Sequence, residues 1–344
     1  MSIQAEEYVK QAERALEACE PALAIKFLER AIEASSVSIG DADTSPTASA
    51  KLFQLFGWAH MELVNTLTND SPDSVDIPAA MESAKTAFLH AIQLAPNQDY
   101  ATYLCLGQLV VAKESIGYYE IGVKLLTQLI HCHSELAETP EQTAVLQQKL
   151  GSALCSMIEI YMTDCCDEPE AEDKCEEYVQ HALAENPTNP EVYQTLASVR
   201  LSQSRPAEAR VCLEKSMDLW YTEPKEDAPL VADPAWIGYP LRVSLAKLLM
   251  EVELNERALV VLQTCQVEDD EDAEIWYLYG WCYLQLSSSH AEFKEDAHAC
   301  FDSVLELDGK YPGTVDPAML CHIKELRELA DKINHDRDDC EMNE

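Results

Sequence analysis

Apolar residues recur along the 344-residue chain at the three- and four-residue spacing that marks one face of an α-helix. The pattern is strongest between residues 190 and 270, where small apolar residues alternate with large ones. Two successive stretches carry it, one at Leu196 and Ala197 and the next at Ala209 and Leu213. The chain is therefore predicted to consist of amphipathic helices that pack in pairs.

The same positions recur further along the chain with a fixed offset. The first-helix residues of the two later copies, 34 residues apart, are Leu245, Ala246 and Leu249 and then Tyr279, Gly280 and Tyr283. With Trp276 the last copy reads Trp-x2-Tyr-Gly-x2-Tyr, which is typical of the first helix of a tetratricopeptide repeat. Small residues where helices meet let the backbones approach, and large side chains then fill the grooves. We expect an all-α protein, a right-handed tetratricopeptide superhelical solenoid.

Looser copies of the pattern extend to both ends of the chain. We count about seven helix pairs and expect a single solenoid over residues 1–334. A helix predicted at residues 316–334 has one apolar side and is expected to cap the last repeat. The acidic tail over residues 335–344 lacks apolar periodicity and is predicted to be disordered. Loop insertions are expected near residues 35–47, 68–78, 164–172 and 221–233.

The charge balance narrows the choice of partners. Asp and Glu number 62 against 24 Lys and Arg, which gives a formal net charge of -38 at pH 7. Such a polyanion is repelled by nucleic-acid phosphates and by anionic lipid headgroups. No stretch approaches the ~20 consecutive apolar residues that cross a bilayer. We therefore expect no direct binding to nucleic acid or membrane, and a basic protein as partner. The alternative is that the acidic residues only maintain solubility.

The cysteines and the N-terminus indicate the compartment. Thirteen cysteines, an odd number, follow no disulfide framework, and the first helix is acidic and amphipathic rather than an apolar signal. Reduced thiols in the cytoplasm or nucleus are the expected state.

No constellation of residues that carries chemistry is found. The chain has no Walker-type loop, His-Glu-x-x-His, Gly-x-Ser-x-Gly or Cys-x2-Cys. We predict that it is not an enzyme and holds no cofactor or metal. The His-Cys-His triplet at residues 131–133 cannot converge on a metal, because adjacent helical side chains point about 100° apart. Cys165, Cys166 and Cys175 lie among carboxylates that raise thiol pKa values, which favours ordinary reduced thiols over a redox or metal site.

The function is then expected to lie on a surface. In stacked tetratricopeptide pairs the first helix of each pair lines an inner groove, and its positions 2, 5, 9, 12 and 13 point there. Large aromatic residues at such positions suit the anchoring of a partner, against the alternative that each packs under a neighbouring loop. These positions also hold Val243, Met250 and Leu284. The predicted partner-binding residues are Trp58, Glu62, Lys247, Glu251, Glu274, Tyr277 and Trp281.

Acidic residues concentrate in two segments. Residues 164–177 contain eight acids and one lysine, and residues 268–274 contain six acids and no base. Singly, each is an ordinary solvated surface; together they focus a negative field that captures Lys- and Arg-rich segments in a salt-sensitive way. Co-chaperones that grip acidic tails use Lys and Asn in the groove. Lys247 is the one base at positions 5 and 9 in this chain, so an acidic partner is disfavoured.

The opening segment, residues 15–28 (ALEACEPALAIKFL), together with the length, the acidity and the repeat array, resembles the fungal family of dedicated assembly chaperones for large-subunit ribosomal protein L-four. The resemblance implies a chaperone in ribosome biogenesis that keeps a newly made, very basic client soluble and shielded from RNA. It also implies that the client's long internal loop is clasped and that the complex enters the nucleus for handover to pre-ribosomes. No basic import signal is evident, which fits entry on the client's signal.

Our hypothesis for the mechanism combines these features. Carboxylates on the groove rim pair with client Lys and Arg, and the groove aromatics hold apolar client side chains. We expect a monomer in a one-to-one complex, present in cytoplasm and nucleus. The rival is a tetratricopeptide scaffold subunit of a multiprotein complex, which binds folded partners through convex or edge surfaces with weak salt dependence.

Overall fold

A computed structural model describes residues 3–36, 46–70, 74–135, 139–223, 230–233, 236–287 and 290–328. All regular structure within these ranges is helical. The helices are α1 (Ile3–Glu17), α2 (Pro21–Ser36), α3 (Pro46–Asp70), α4 (Asp76–Leu94), α5 (Tyr100–Leu109), α6 (Ala112–Glu135), α7 (Pro140–Met162), α8 (Ala171–Glu185), α9 (Pro190–Ser202), α10 (Pro206–Asp218), α11 (Tyr239–Glu251), α12 (Asn255–Glu268), α13 (Ala273–Leu286), α14 (Phe293–Lys310) and α15 (317–328).

The chain divides into two compact units, unit 1 (Met1–Asn186, with α1–α8) and unit 2 (Pro187–Glu344, with α9–α15). From α1 to α14, each odd-numbered helix packs against the even-numbered helix that follows it. Successive pairs also pack on each other within a unit, as α2 does on α3 and α12 on α13. The described residues thus form the seven predicted helix pairs, and the prediction of an all-α protein is confirmed.

Side-chain caps fix where several first helices begin. Asp99, Asn189 and Asp272 each accept a hydrogen bond from a backbone N–H in the first turn of α5, α9 and α13, respectively. Pro190 occupies the first position of α9, where its missing N–H has no partner to lose. The start of α13, which carries Glu274, Tyr277 and Trp281, is therefore set by local chemistry.

The core lies where the repeat pattern places it. A Cβ atom at Gly57 of α3 would lie 2.5 Å from the ring of Phe88 in α4, so glycine is required for this close approach. Gly280 and Phe301 form the same contact between α13 and α14. The residues without exposed surface include Ala197, Ala209, Leu213, Leu245, Ala246, Leu249, Ala258, Leu262, Cys265, Ala297, Phe301 and Val304.

The helix boundaries refine the predicted loops. Because α3 continues through residue 70 and α4 starts at residue 76, both helices extend into the loop predicted at 68–78. Residues 163–170 separate α7 from α8 without forming a helix. Residues 37–45, 224–229 and 329–344, the last of which include the predicted tail, lie outside the described residues. The single solenoid over 1–334 stays a prediction.

Candidate partner-binding surfaces

Trp58 and Glu62 lie on α3 in unit 1. The Trp58 indole packs edge-to-face on Phe88, with ring centroids 5.8 Å apart, and contacts the cluster that Phe88 forms with Cys105 and Leu106 of α5. The indole remains partly exposed, and Glu62, one turn later, is exposed. Trp58 is therefore held by its own pair and by the next one, and part of its surface is free for a partner.

Tyr277 and Trp281 lie one turn apart on α13 in unit 2, and both contact His322 of α15. The Tyr277 hydroxyl lies 2.6 Å from His322 Nδ1, and the imidazole packs edge-on against the Trp281 indole at 5.2 Å. Burial, and after it the Glu274 carboxylate, raises the pKa of Tyr277, so the hydroxyl stays neutral. Both side chains are partly exposed. Both side chains therefore pack against a neighbouring element, and this element is the helix α15 rather than the loop that the alternative named.

Lys247 of α11 and Glu274 of α13 form an ion pair at 2.7 Å. Their side chains are 49% and 41% exposed, so the pair contributes only about 0–1 kcal/mol to stability. The pair nevertheless engages the Glu274 carboxylate, which the sequence analysis predicts to bind a cationic partner. Glu251, at the end of α11, is exposed. Unit 2 thus holds five of the predicted partner-binding residues, and unit 1 holds the other two.

Three further groove positions are core residues, and their assignment to the groove was wrong. Val243, Met250 and Leu284 are all less than 8% exposed. Val243 and Met250 belong to the core around α11 and α12, and Leu284 packs with Ile323 of α15. The physical reason is that neighbouring helices close over these positions.

The acidic segment 268–274 is engaged within the chain. Bases from α11 and α14 pair with three of its six acids, and a tyrosine hydroxyl donates to a fourth. The contacts are Glu268 with Arg242, Glu271 with Lys310, Glu274 with Lys247, and Tyr239 donating to Asp272. This segment therefore presents much less free negative charge than its sequence indicates.

The acidic segment 164–177 covers nearly all of the α7–α8 connection and the first half of α8. Glu168 pairs with Lys113 and Glu177 with Lys174, each at 2.7 Å. Further carboxylates of the segment are exposed, among them those of Asp164, Asp167, Glu170 and Asp173. This part of unit 1 keeps a concentrated negative charge that a basic partner can meet.

The cysteine and histidine candidates behave as ordinary side chains. Burial, with the carboxylates nearby, raises the pKa of Cys175 to about 11 and raises the pKa of Cys165, so these thiols stay protonated at neutral pH. His131 Nε2 lies 3.3 Å from a carboxylate oxygen of Glu185. Among the described residues, no group of three or more His, Cys, Asp or Glu is arranged to hold a metal. Over the same residues, no helix combines the length and apolar character that a membrane span needs.

A groove of about 290 Å³ opens between α12 and α14 and was not anticipated as a surface. The repeat pattern assigns its aromatic floor to the core, and only the packing shows that Trp276 and Tyr283 stay partly exposed. We call it the aromatic groove. Its lining consists of Trp276, Tyr279 and Tyr283 on α13, Leu259, Val260, Gln263 and Gln266 on α12, and Cys300 on α14.

Comparison with known proteins gives close relatives. No family model matches the chain. A Schizosaccharomyces pombe protein named "Probable assembly chaperone of rpl4" is 34% identical over 303 residues, which cover 84% of this chain and 82% of that protein. An Emericella nidulans protein of the same name is 46% identical over 229 residues, 64% of this chain and 54% of that protein, so the match spans about half of its length.

Solved structures agree with the helix-pair architecture. The structure titled "Assembly Chaperone of RpL4 (Acl4) (Residues 1-338)" has a TM-score of 0.69 at 28% identity and covers 84% of this chain and 99% of that chain. A tetratricopeptide repeat protein from Parabacteroides merdae has a TM-score of 0.50 at 14% identity over 96% of this chain, which concerns the fold alone. The predicted tetratricopeptide class is confirmed.

Proposed function

The chain belongs to the family of assembly chaperones of rpl4, and from that premise we propose that it binds newly made ribosomal protein L4 and keeps it soluble and away from RNA until assembly. The observation that carries the proposal is the relationship to the fission yeast protein, at 34% identity over 82% of that protein's length. The fission yeast relative is named as a chaperone, and the activity we propose is binding and release without a catalytic step.

Charge supports a basic client. The net charge of -38 attracts a cationic polypeptide over long range and repels nucleic acid. The carboxylates of Glu62 and Glu251 and several of segment 164–177 are exposed, which supports pairing with client Lys and Arg. Each exposed pair contributes only about 0.2–1 kcal/mol, so affinity needs many such pairs and a few buried anchors.

Co-purification tests the client. We expect tagged chaperone isolated from its own cells to carry ribosomal protein L4 in a one-to-one complex, and high salt to release it because screening weakens exposed ion pairs. Mass spectrometry identifies the partner, and light scattering with size-exclusion chromatography gives the stoichiometry. Recovery of several folded proteins that resist high salt would instead support a scaffold subunit.

Trp281 tests the proposed anchors. Trp281→Ala removes an aromatic surface of α13, so we expect faster release of L4 and a nearly unchanged association rate. Surface plasmon resonance with immobilised L4 measures both rates. Because the ring also contacts His322, the circular dichroism spectrum and melting temperature of the variant must be compared with the wild type. A folded variant with unchanged dissociation contradicts the anchor role.

Location follows from the same proposal. We propose that the monomeric chaperone takes its client up in the cytoplasm and accompanies it into the nucleus. Fluorescence microscopy of the tagged chaperone, with and without depletion of L4, checks this. Nuclear signal that persists without L4 contradicts entry on the client's signal.

A further inference from the structure

The floor of the aromatic groove is a continuous row of rings on α13. Ring centroids are 6.1 Å apart from Trp276 to Tyr279 and 6.0 Å from Tyr279 to Tyr283, and the last two rings are nearly parallel, at 15°. The Trp276 indole donates a hydrogen bond to the main-chain oxygen of Asp270 at 2.8 Å, which fixes its orientation. Rings held in this way present a pre-formed π surface to a ligand.

Carboxylates flank the row on both neighbouring helices. Asp296 is exposed on α14, one turn before Cys300, and burial followed by this carboxylate raises the pKa of the Cys300 thiol to about 12. Glu256 is exposed on α12, one turn before the lining residue Val260. The residues that line the groove carry no charge of either sign. The groove thus combines aromatic faces with carboxylates beside it.

Two contacts elsewhere in the chain show a cation packed on an aromatic ring. In unit 2, Lys215 places its ammonium 4.4 Å from the centroid of the Tyr193 ring. In unit 1, Lys174 lies 5.5 Å from the Tyr178 ring while it pairs with Glu177 at 2.7 Å. In both places a cation of the chain covers an aromatic ring, as the ring quadrupole favours. The aromatic groove has the rings and the carboxylates without a lining cation.

We propose that the aromatic groove binds an arginine side chain of a basic peptide segment from a partner protein. The planar guanidinium stacks beside Tyr283, the ring that lies near the Asp296 carboxylate and that also stacks on Phe293 with ring centroids 5.6 Å apart. Its N–H groups bond to this carboxylate and to the side-chain oxygen of Gln263. Trp276, two turns away on α13, contacts the adjoining part of the peptide. Arginine fits better than lysine because it stacks and donates in one plane, whereas the ammonium is a more strongly hydrated point charge.

This surface is distinct from the predicted anchors. The groove residues Trp276, Tyr279 and Tyr283 follow an i, i+3, i+7 spacing, whereas Tyr277 and Trp281 are offset by one residue and contact His322 of α15. The inference goes beyond the proposed client binding, because it assigns an arginine site to a groove that none of the predicted partner-binding residues lines. A proline-rich segment would gain nothing from the carboxylates, so charge complementarity favours the basic segment.

Charge reversal on α14 offers a closely matched test. Asp296→Lys places a cation beside the rings, and Glu295→Lys makes the same charge change on the adjacent exposed residue, which points about 100° away. The probe is a short fluorescein-labelled peptide of arginine, glycine and serine, and fluorescence anisotropy measures its affinity for the full-length chain. We expect Asp296→Lys to weaken binding about tenfold and Glu295→Lys about twofold, because the second loses only the general attraction. Equal effects overturn the proposal.

A second variant and a site-specific signal guard against misfolding. Gln263 is exposed, and Gln263→Arg supplies a guanidinium from within the chain, so we expect it to block the peptide while the melting temperature is maintained. In a 15N–1H spectrum of the tryptophan indoles, assigned with Trp276→Phe, the Trp276 signal should shift on addition of the arginine peptide and less with a lysine counterpart. A Trp276 signal that moves with an uncharged proline-rich peptide, or with protein concentration alone, contradicts the proposal and indicates a different occupant.

Discussion

Arg242 of α11 carries its guanidinium into the core of unit 2, where the residue is only 2% exposed. It donates hydrogen bonds to the carbonyl oxygens of Ile237, at 3.0 Å, and Thr264, at 2.7 Å, and it pairs with Glu268. The Trp236 ring lies 5.3 Å from the guanidinium carbon. One side chain therefore ties the segment before α11 to the end of α12.

Substitution of Arg242 tests this role. We expect Arg242→Lys to lower the free energy of unfolding by about 2–3 kcal/mol, because lysine cannot reach both carbonyl oxygens and leaves a buried acceptor unpaired. Glu268→Gln is the control: its side chain is 48% exposed, and an amide can still accept from Arg242, so we expect a loss of about 0.5 kcal/mol. Urea unfolding followed by circular dichroism measures both. Equal losses in the two variants contradict the account.

The burial of Arg242 was not predictable from hydropathy, which places arginine at the surface. Its register is the one signal in the sequence, since it lies 34 residues before Trp276 and so takes the same repeat position. Recognition of the site requires Ile237, Thr264 and Glu268, and the repeat pattern does not indicate that their oxygens converge. Residue-scale chemistry of this kind needs the packed structure.

At the scale of helices, close approach within a pair depends on glycine at the crossing. Gly57 lets α3 approach α4 so closely that Phe88, which has no exposed surface, lies directly against the backbone. Gly280 and Phe301 repeat the arrangement in unit 2. Trp58 packs on the same Phe88 ring, so this crossing also positions a predicted partner-binding residue.

A methyl group tests the crossing. Gly57→Ala places a Cβ 2.5 Å from a Phe88 ring carbon, and we expect a loss of about 1–3 kcal/mol, because the rigid ring must be displaced. Gly117→Ala in α6 is the matched control: a Cβ there meets nothing within 4 Å, so alanine should stabilise the helix by about 0.5–1 kcal/mol. Thermal unfolding compares the two. A stabilised Gly57→Ala protein contradicts the close approach.

The helix pairs were predictable because burial repeats with the helical period and small residues mark the crossings. Trp58, Tyr277 and Trp281, which the same register assigns to the groove, are partly exposed, and their role in binding a partner stays a prediction. It did not predict His322 as the contact of Tyr277 and Trp281, because α15 reaches them from a separate part of the sequence. The register also did not identify Val243 and Leu284 as core residues, because an apolar residue suits the core and a partner-binding groove equally well.

At the scale of the whole molecule, the two acidic segments differ in how much of their negative charge remains available to a partner. Segment 268–274 supplies carboxylates to Arg242, Lys247 and Lys310, so its acids serve contacts within unit 2. Segment 164–177 keeps exposed carboxylates besides Glu168 and Glu177, which pair with lysine, and these include Asp164, Asp167, Glu170 and Asp173. Attraction of a basic client is therefore expected to depend more on the second segment, because unpaired charges produce the field that steers association.

Charge neutralisation in unit 1 tests where the client is captured. Changing Asp164, Asp167, Glu170 and Asp173 to their amides removes four exposed charges, and we expect the association rate with L4 to fall about three- to tenfold while the melting temperature is maintained. The control changes four exposed acids of α1 and α2, Glu6, Glu13, Glu17 and Glu29, to glutamine. The control removes the same number of charges. Because Lys10, Arg14, Lys26 and Arg30 also lie on α1 and α2, the local negative charge there is lower and we expect a smaller effect on the association rate. Stopped-flow fluorescence at several salt concentrations gives the rates. Equal slowing in both variants means that only net charge matters, and no slowing in either contradicts electrostatic capture.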